Sequence, residues 1–197
     1  MLKTTLSVLA LASGLVSARA DDVARFRGTI EATDRTTLKV RPQTGEPVGF
    51  AIAEGAKIFA ATDGKLTDIK PESYIGSAAI PQPDGTLKAV QVTVFASSLR
   101  GTAPGHNSWD LGTTSTVTNG AVSRLSGRSG RTVTVQYKGG EKTIAVPPDV
   151  PVSLLEPGDK SLIVKGAKVV AVTKAVAGGK REAVLIIVGR NGTTPSM

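Results

Sequence analysis

Pro83-Asp84-Gly85-Thr86-Leu87-Lys88-Ala89-Val90-Gln91-Val92-Thr93-Val94 is the stretch whose reading decides the fold. Pro83-Asp84-Gly85 is a hairpin signal, because Gly takes positive φ at no steric cost. The residues after it predict a strand over 87–94, with Leu87 and Ala89 on one face and Val90, Val92 and Val94 giving mixed faces. Residues 74–80 predict the strand on the other side of the turn. The same pattern returns about 94 residues later. Gly178-Gly179 is a turn, residues 181–188 predict a strand, and Ala89 falls on Ala183.

Working outward, residues 24–94 read as five strands. Phe26, Gly28 and Ile30 share one face of the first, with Arg25, Arg27, Thr29 and Glu31 on the other. Leu38 and Val40 point inward from a second strand over 37–41. Val48, Phe50 and Ile52 alternate along a third. Residues 57–59 read as a short extended piece, and 65–69 as one turn of helix. Residues 116–189 repeat the plan, with strands predicted over 121–125, 132–137, 143–146, 168–173 and 181–188. Phe50-Ala51-Ile52 falls on Ile144-Ala145-Val146. The repeat rests on pattern and turn placement.

The expectation is therefore an all-β chain of two tandem five-stranded OB-like small barrels joined by an ordered connector. The boundaries predicted are a signal peptide at 1–20, a first OB-like domain at 21–97, a connector at 98–115, a second domain at 116–190 and a flexible tail at 191–197. A β-sandwich built from both halves is the alternative. Helical periodicity is too sparse for a parallel sheet.

Composition agrees. Hydrophobic residues make up 40% and charged residues 20%, which suits a globular chain. Gly and Pro together number 33 of 197, as many short strands and turns require. There is no Cys, which excludes disulfides, thiolate nucleophiles and cysteine metal sites. Lys3, the apolar residues 6–16 and Ala18-Arg19-Ala20 together read as a secretory leader cut after Ala20. The expected location is periplasmic or secreted. The apolar run is shorter than the roughly 20 residues that a spanning helix needs. The net charge is +8, or +6 once Lys3 and Arg19 leave with the leader.

The connector holds the only His, His106, and the only Trp, Trp109. His106 with Asp110 is a weak metal candidate, since a site usually takes three or four protein ligands. Trp109 either stacks on a ring-bearing ligand or pins the connector by burying its indole, and pinning fits a linker better. Arg124, Arg128 and Arg131 cluster near one turn of the second unit and form a candidate partner-binding patch. Arg25, Arg27, Arg35, Lys39 and Arg41 line outward positions of the first. A solvated charged face is the plainer explanation of both sets. No Gly-x-Ser-x-Gly elbow and no facing carboxylate pair stand out, so no catalytic residue is nominated. Gly139-Gly140-Glu141-Lys142 lacks the spacing and the following helix of a phosphate loop.

Gly28-Thr29-Ile30, Thr37-Leu38-Lys39-Val40, Asp68-Ile69-Lys70-Pro71 and the Pro83–Ala89 turn give the chain a resemblance to a known group. So do Arg100-Gly101-Thr102, Gly105-His106, Trp109-Asp110-Leu111, Ser115 and Thr118-Asn119 of the connector. The chain resembles a family of bacterial exported proteins that carry one or two OB-like domains. Relatives sometimes bear a metal-transporter permease label. This chain departs from them at Ala103-Pro104, where they tend to have Gly-Glu, and at Val117, where they tend to have Met. Loss of that acid weakens a metal reading of the connector. The resemblance implies the fold and the export route and supplies no catalytic residue. The function expected is a non-enzymatic binding or structural module without a cofactor. Its partner would be an anionic ligand or polymer, an envelope component or another protein. Export removes the usual nucleic-acid partners. An accessory metal-handling role through His106 is the second expectation.

Overall fold

Twelve strands account for nearly all regular structure in the computed structural model, which describes residues 23–34, 36–127 and 132–196. The signal-peptide reading, Arg35, Arg128 and Arg131 fall outside the described residues. In chain order the strands are β1 (Val23–Thr33), β2 (Thr37–Pro42), β3 (Val48–Asp63), β4 (Tyr74–Pro81), β5 (Leu87–Phe95) and β6 (Gly105–Ser108). There follow β7 (Thr116–Ser126), β8 (Thr132–Tyr137), β9 (Gly140–Ala145), β10 (Val152–Pro157), β11 (Lys168–Ala175) and β12 (Arg181–Gly189). The chain is all-β, as its alternation and turn chemistry predict. The turn expected over 65–69 is a 3-10 turn at Leu66–Asp68.

The strands close into rings. β1 pairs β2, β2 pairs β3, β3 runs parallel to β12, β12 pairs β11, and β11 returns to β1. A second circuit runs β7–β8–β9–β5–β4 and back to β7, with β5 and β9 parallel. Each circuit takes three strands from one half of the chain and two from the other. The expected boundaries at 97 and 116 therefore do not divide the rings. The hairpin of residues 74–95 closes on the strands after 116, and the hairpin of residues 168–189 closes on the strands before 63.

Each ring is filled by its own apolar cluster. Ile30, Leu38, Val40, Phe50, Ile186 and Val188 meet in the first. Ile75, Val92, Val122, Val133, Val135 and Ile144 meet in the second. Alternation puts these side chains inward. Burying each Ile or Leu contributes about 1.5–3 kcal/mol relative to exposure. Gly28 and Gly120 hold matching places: a Cβ on Gly28 would collide with the Arg41 carbonyl on β2, and one on Gly120 with the Gln136 carbonyl on β8. Both strands shift register just beyond, between Ile30 and Ala32 and between Val122 and Arg124. These bulges let the sheet curl into a closed ring.

Between the rings lies a shared four-stranded layer, β12-β3-β10-β5. Its strand β10 follows Pro147, Pro148 and Pro151 and ends on Pro157, and these prolines hide it from a sequence reading. β3 runs through Glu54-Gly55 as one 16-residue strand rather than two pieces, with residues 53–56 bulging out of its pairing with β12. One face of this layer feeds the two ring interiors. The other carries a third apolar cluster, with Phe59, Phe95, Leu155, Val170 and Ile187.

Candidate functional site

Residues 96–115 lie across that third cluster, and ordinary hydrogen bonding fixes them there. Thr102 Oγ1 donates to the Leu99 carbonyl at 2.6 Å, and Tyr74 donates to the Thr102 carbonyl at 3.0 Å. Asn119 Nδ2 donates to the Ala103 carbonyl at 3.0 Å. β6 then pairs with β7 from Gly105↔Asn119 to Ser108↔Thr116. Ser115 Oγ lies 2.9 Å from the Trp109 carbonyl and accepts from the Leu111 N–H at 3.1 Å, which ties off the following loop.

Trp109 and Asp110 grip β1. The Arg25 guanidinium stands 4.0 Å above the indole ring, a cation–π distance. Both Asp110 oxygens accept from Arg27 at 2.8 Å in a bidentate pair. Burial raises the Asp110 pKa, but the Arg27 hydrogen bonds and the Arg27 and Arg25 charges outweigh it and hold the carboxyl below its ordinary value. Burial lowers the Arg25 guanidinium from its ordinary value. The alternation of β1 put Arg25 and Arg27 outward, but nothing in the sequence linked them to residues more than 80 positions away.

His106 and Asp110 are not brought to a common centre. His106 Nδ1 lies 2.8 Å from Thr118 Oγ1, and its ring stacks on Tyr137. Burial, then the Lys142 charge, lowers its pKa, which favours the neutral imidazole. His106 thus takes its partners from the second ring, and Asp110 from the first. Among the described residues no group of three or more His, Cys, Asp or Glu stands close enough to hold a metal. Arg124 is exposed on β7, opposite Thr134 of β8 and away from Trp109's partners. The expected tail is a docked segment over 191–196. Thr193, Pro195 and Ser196 are buried, and Ser196 Oγ bonds Thr93 and Ser153.

Two hollows follow from this arrangement. A groove of about 440 Å³ opens between β1, the β2–β3 turn, β11 and the docked segment. Arg27, Arg41, Lys168, Thr29, Thr44, Thr194 and Gln43 supply its polar lining, which includes no carboxylate. Lys168 Nζ donates to Thr29 Oγ1 at 3.0 Å, and Arg41 reaches Glu31 at 2.6 Å. A second hollow of about 150 Å³ lies beneath Thr102, Ala103 and Trp109, against the apolar cluster. Comparison of the chain with family models, with curated proteins and with solved structures gives no match. The reading of both hollows rests on their own geometry.

Proposed function

We propose that this chain is an exported, non-enzymatic binding module whose basic groove takes an anionic ligand. On this reading residues 1–20 are a cleaved leader, and the mature protein works in the periplasm or outside the cell. It is further read as two copies of one OB-like unit, of the exported family it resembles, that have exchanged their last two strands. The element starts at 74, 87, 168 and 181 support this, because each of the first two recurs 94 residues later.

The observation that carries the ligand class is the groove lining: three cations, three hydroxyls and one amide, with no acid among them. Such a lining supplies charge-assisted donors to sulfate, phosphate or carboxylate groups along a polymer. The acids nearby hold two of the groove's own cations, so a ligand anion meets Lys168 and competes for Arg41 and Arg27. Glu31 pairs with Arg41 and Lys39, Asp110 pairs with Arg27, and Asp34 caps its own turn. The module reading also fits the sole histidine, which is engaged by Thr118 and Tyr137 rather than by an acid.

The test is a melting-temperature screen of residues 21–197 with heparin and with tripolyphosphate. A ligand that binds only the folded state raises the melting temperature by mass action. The expected result is an upward shift that salt reverses and that Lys168→Ala with Arg41→Ala reduces. No shift with either polyanion, or one the double variant leaves unchanged, sinks the reading.

A further inference from the structure

The smaller hollow under the connector carries a different inference, because its lining is graded from a charged mouth to an apolar end. Register sets the mouth: Arg25 of β1 pairs Val172 of β11, which pairs Leu185 of β12. All three line the hollow, and all three are only partly buried. The inner lining is Phe59, Phe95, Leu155, Val170 and Ile187, each buried and apolar. At about 150 Å³ the hollow has the size at which an apolar protein cavity accepts a molecule like benzene.

Arg25 is the one charged residue of this lining. Its guanidinium stands 4.0 Å from the centroid of the Trp109 ring. That contact sets charge against a ring face, so the five N–H donors gain no lone pair from it. Among the described residues Arg25 has no hydrogen-bond acceptor and no ion-pair partner. Its neighbour Arg27 differs, because Asp110 holds it in a bidentate pair. Asp110 is near enough to act on the Arg25 charge, but both its oxygens go to Arg27. Two cations and one anion thus meet at the mouth, and one positive charge is left over. Taking a cation from water without giving it an acceptor is costly, and burial already lowers the Arg25 guanidinium from its ordinary value.

We infer that the hollow binds a compact monocarboxylate, a ring-sized hydrocarbon body bearing one carboxyl group. The body lies among Phe59, Leu155 and Ile187, and the carboxylate stays at the mouth, where it accepts hydrogen bonds from Arg25. A planar guanidinium matches a carboxylate through two parallel bonds. A neutral amide of the same shape brings no charge and sets its own N–H donors beside those of Arg25. A bare carboxylate such as acetate leaves the apolar end unfilled. The site is separate from the basic groove, whose lining does not include Arg25.

Trp109 lines the hollow and is the only tryptophan, so its emission reports on occupancy. Residues 21–197 are titrated with cyclohexanecarboxylate, cyclohexanecarboxamide and acetate, following Trp109 emission and binding heat. The expected result is saturable binding of cyclohexanecarboxylate, about tenfold tighter than the carboxamide, as hydrogen bonds to a charged group would give. Acetate gives no saturable signal. Arg25→Gln keeps a polar side chain beside the indole but removes the charge. It weakens cyclohexanecarboxylate about tenfold by calorimetry and leaves the carboxamide unchanged. Absence of saturable cyclohexanecarboxylate binding overturns the proposal. Equal binding of the carboxamide overturns the ligand class. Acetate binding as tight as that of cyclohexanecarboxylate means that the apolar end takes no part, and overturns it too. Undiminished binding by Arg25→Gln places the anion elsewhere, the basic groove included, and overturns the site. The three ligands on the unaltered protein decide the matter even where Arg25→Gln does not fold.

Discussion

Two bands of residues cross the outer face of the shared layer, and they differ in size at every step. Ile187, Phe59, Leu155 and Phe95 form one band. The positions 94 residues from these are Thr93, Ser153, Ala61 and Gly189, which form the other. The backbone pairing is alike in both: Phe59↔Pro157 and Asp63↔Ser153 lie at equal distances from Ala61↔Leu155. The large band lies beneath the connector with Trp109. The small band is a trough that the C-terminal segment fills, with Thr193 against Gly189 and Ser196 between Thr93 and Ser153. One symmetric frame thus receives two unlike covers, and side-chain volume decides which cover goes where.

The strongest way to break this contrast is Phe59→Ser, which gives the large band the residue of its counterpart. Removing a buried phenyl ring costs about 3–5 kcal/mol. A urea midpoint within error of the unaltered protein's would show that the third cluster contributes little. Gly189→Ala acts on the other cover. A Cβ there collides with the Thr193 carbonyl, so the segment over 193–196 has to lift, at a cost of about 1–3 kcal/mol. Hydrogen exchange should rise sharply at Thr193 while β2 stays protected; unchanged exchange would mean that the trough is roomier than described. Ser196→Ala removes only the hydroxyl links to Thr93 and Ser153, and should lower stability by about 1 kcal/mol in the same urea assay.

The smallest effect belongs to the grip on β1. Asp110 and Arg27 side chains are each about a third exposed, at 37% and 30%, so Asp110→Asn costs at most about 1 kcal/mol. The sign with pH follows from the lowered Asp110 pKa. The unfolded chain binds the proton first as pH falls, so the pair's contribution is complete above the ordinary carboxylate range and is lost as pH drops through it. Melting temperatures of the protein and of Asp110→Asn should converge in acid and separate at pH 7. The Asp34 turn behaves alike over a lower range. Four hydrogen bonds from Thr36 and Thr37 lower its pKa from 3.8 to about 2, so its contribution fades between those values. A melting curve of Asp34→Asn that stays parallel to that of the unaltered protein from pH 5 to pH 2 would contradict this.

Much of this frame was legible in the residues. The alternation of Phe26, Gly28 and Ile30 marked one face of β1, and the Pro83-Asp84-Gly85 turn marked the hairpin of β4 and β5. Local pattern says where strands lie and which face is apolar. It does not say which strands meet, because pairing is settled by burial across the whole chain. Which hairpin closes which ring was therefore hidden, as was β10 among its prolines. The docked segment was hidden for another reason: Asn191-Gly192-Thr193-Thr194 is polar enough to read as solvated, and it is held by a hollow made elsewhere. Of the candidate site, Trp109 and Asp110 stood out as rare or charged residues in a loop. Arg25 and Arg27 did not, because an outward arginine on a strand is ordinary until its partner arrives.

The sequence separation of the strands in each ring also sets an order of events during synthesis. The second ring draws only on residues 74–145, so it can close while the rest of the chain is still being made. The first ring needs β1–β3 and then β11–β12, so its opening strands appear first and its closing pair last. Until residue 175 has emerged β1 has no complete β11 beside it, and until residue 189 has emerged β3 has no complete β12. Such long-range closure is slow, since the intervening chain must be ordered before its contacts reward it. The segment that leaves the ribosome earliest is the one that waits longest for its partners, with its Phe50 and Ile52 exposed in the interval.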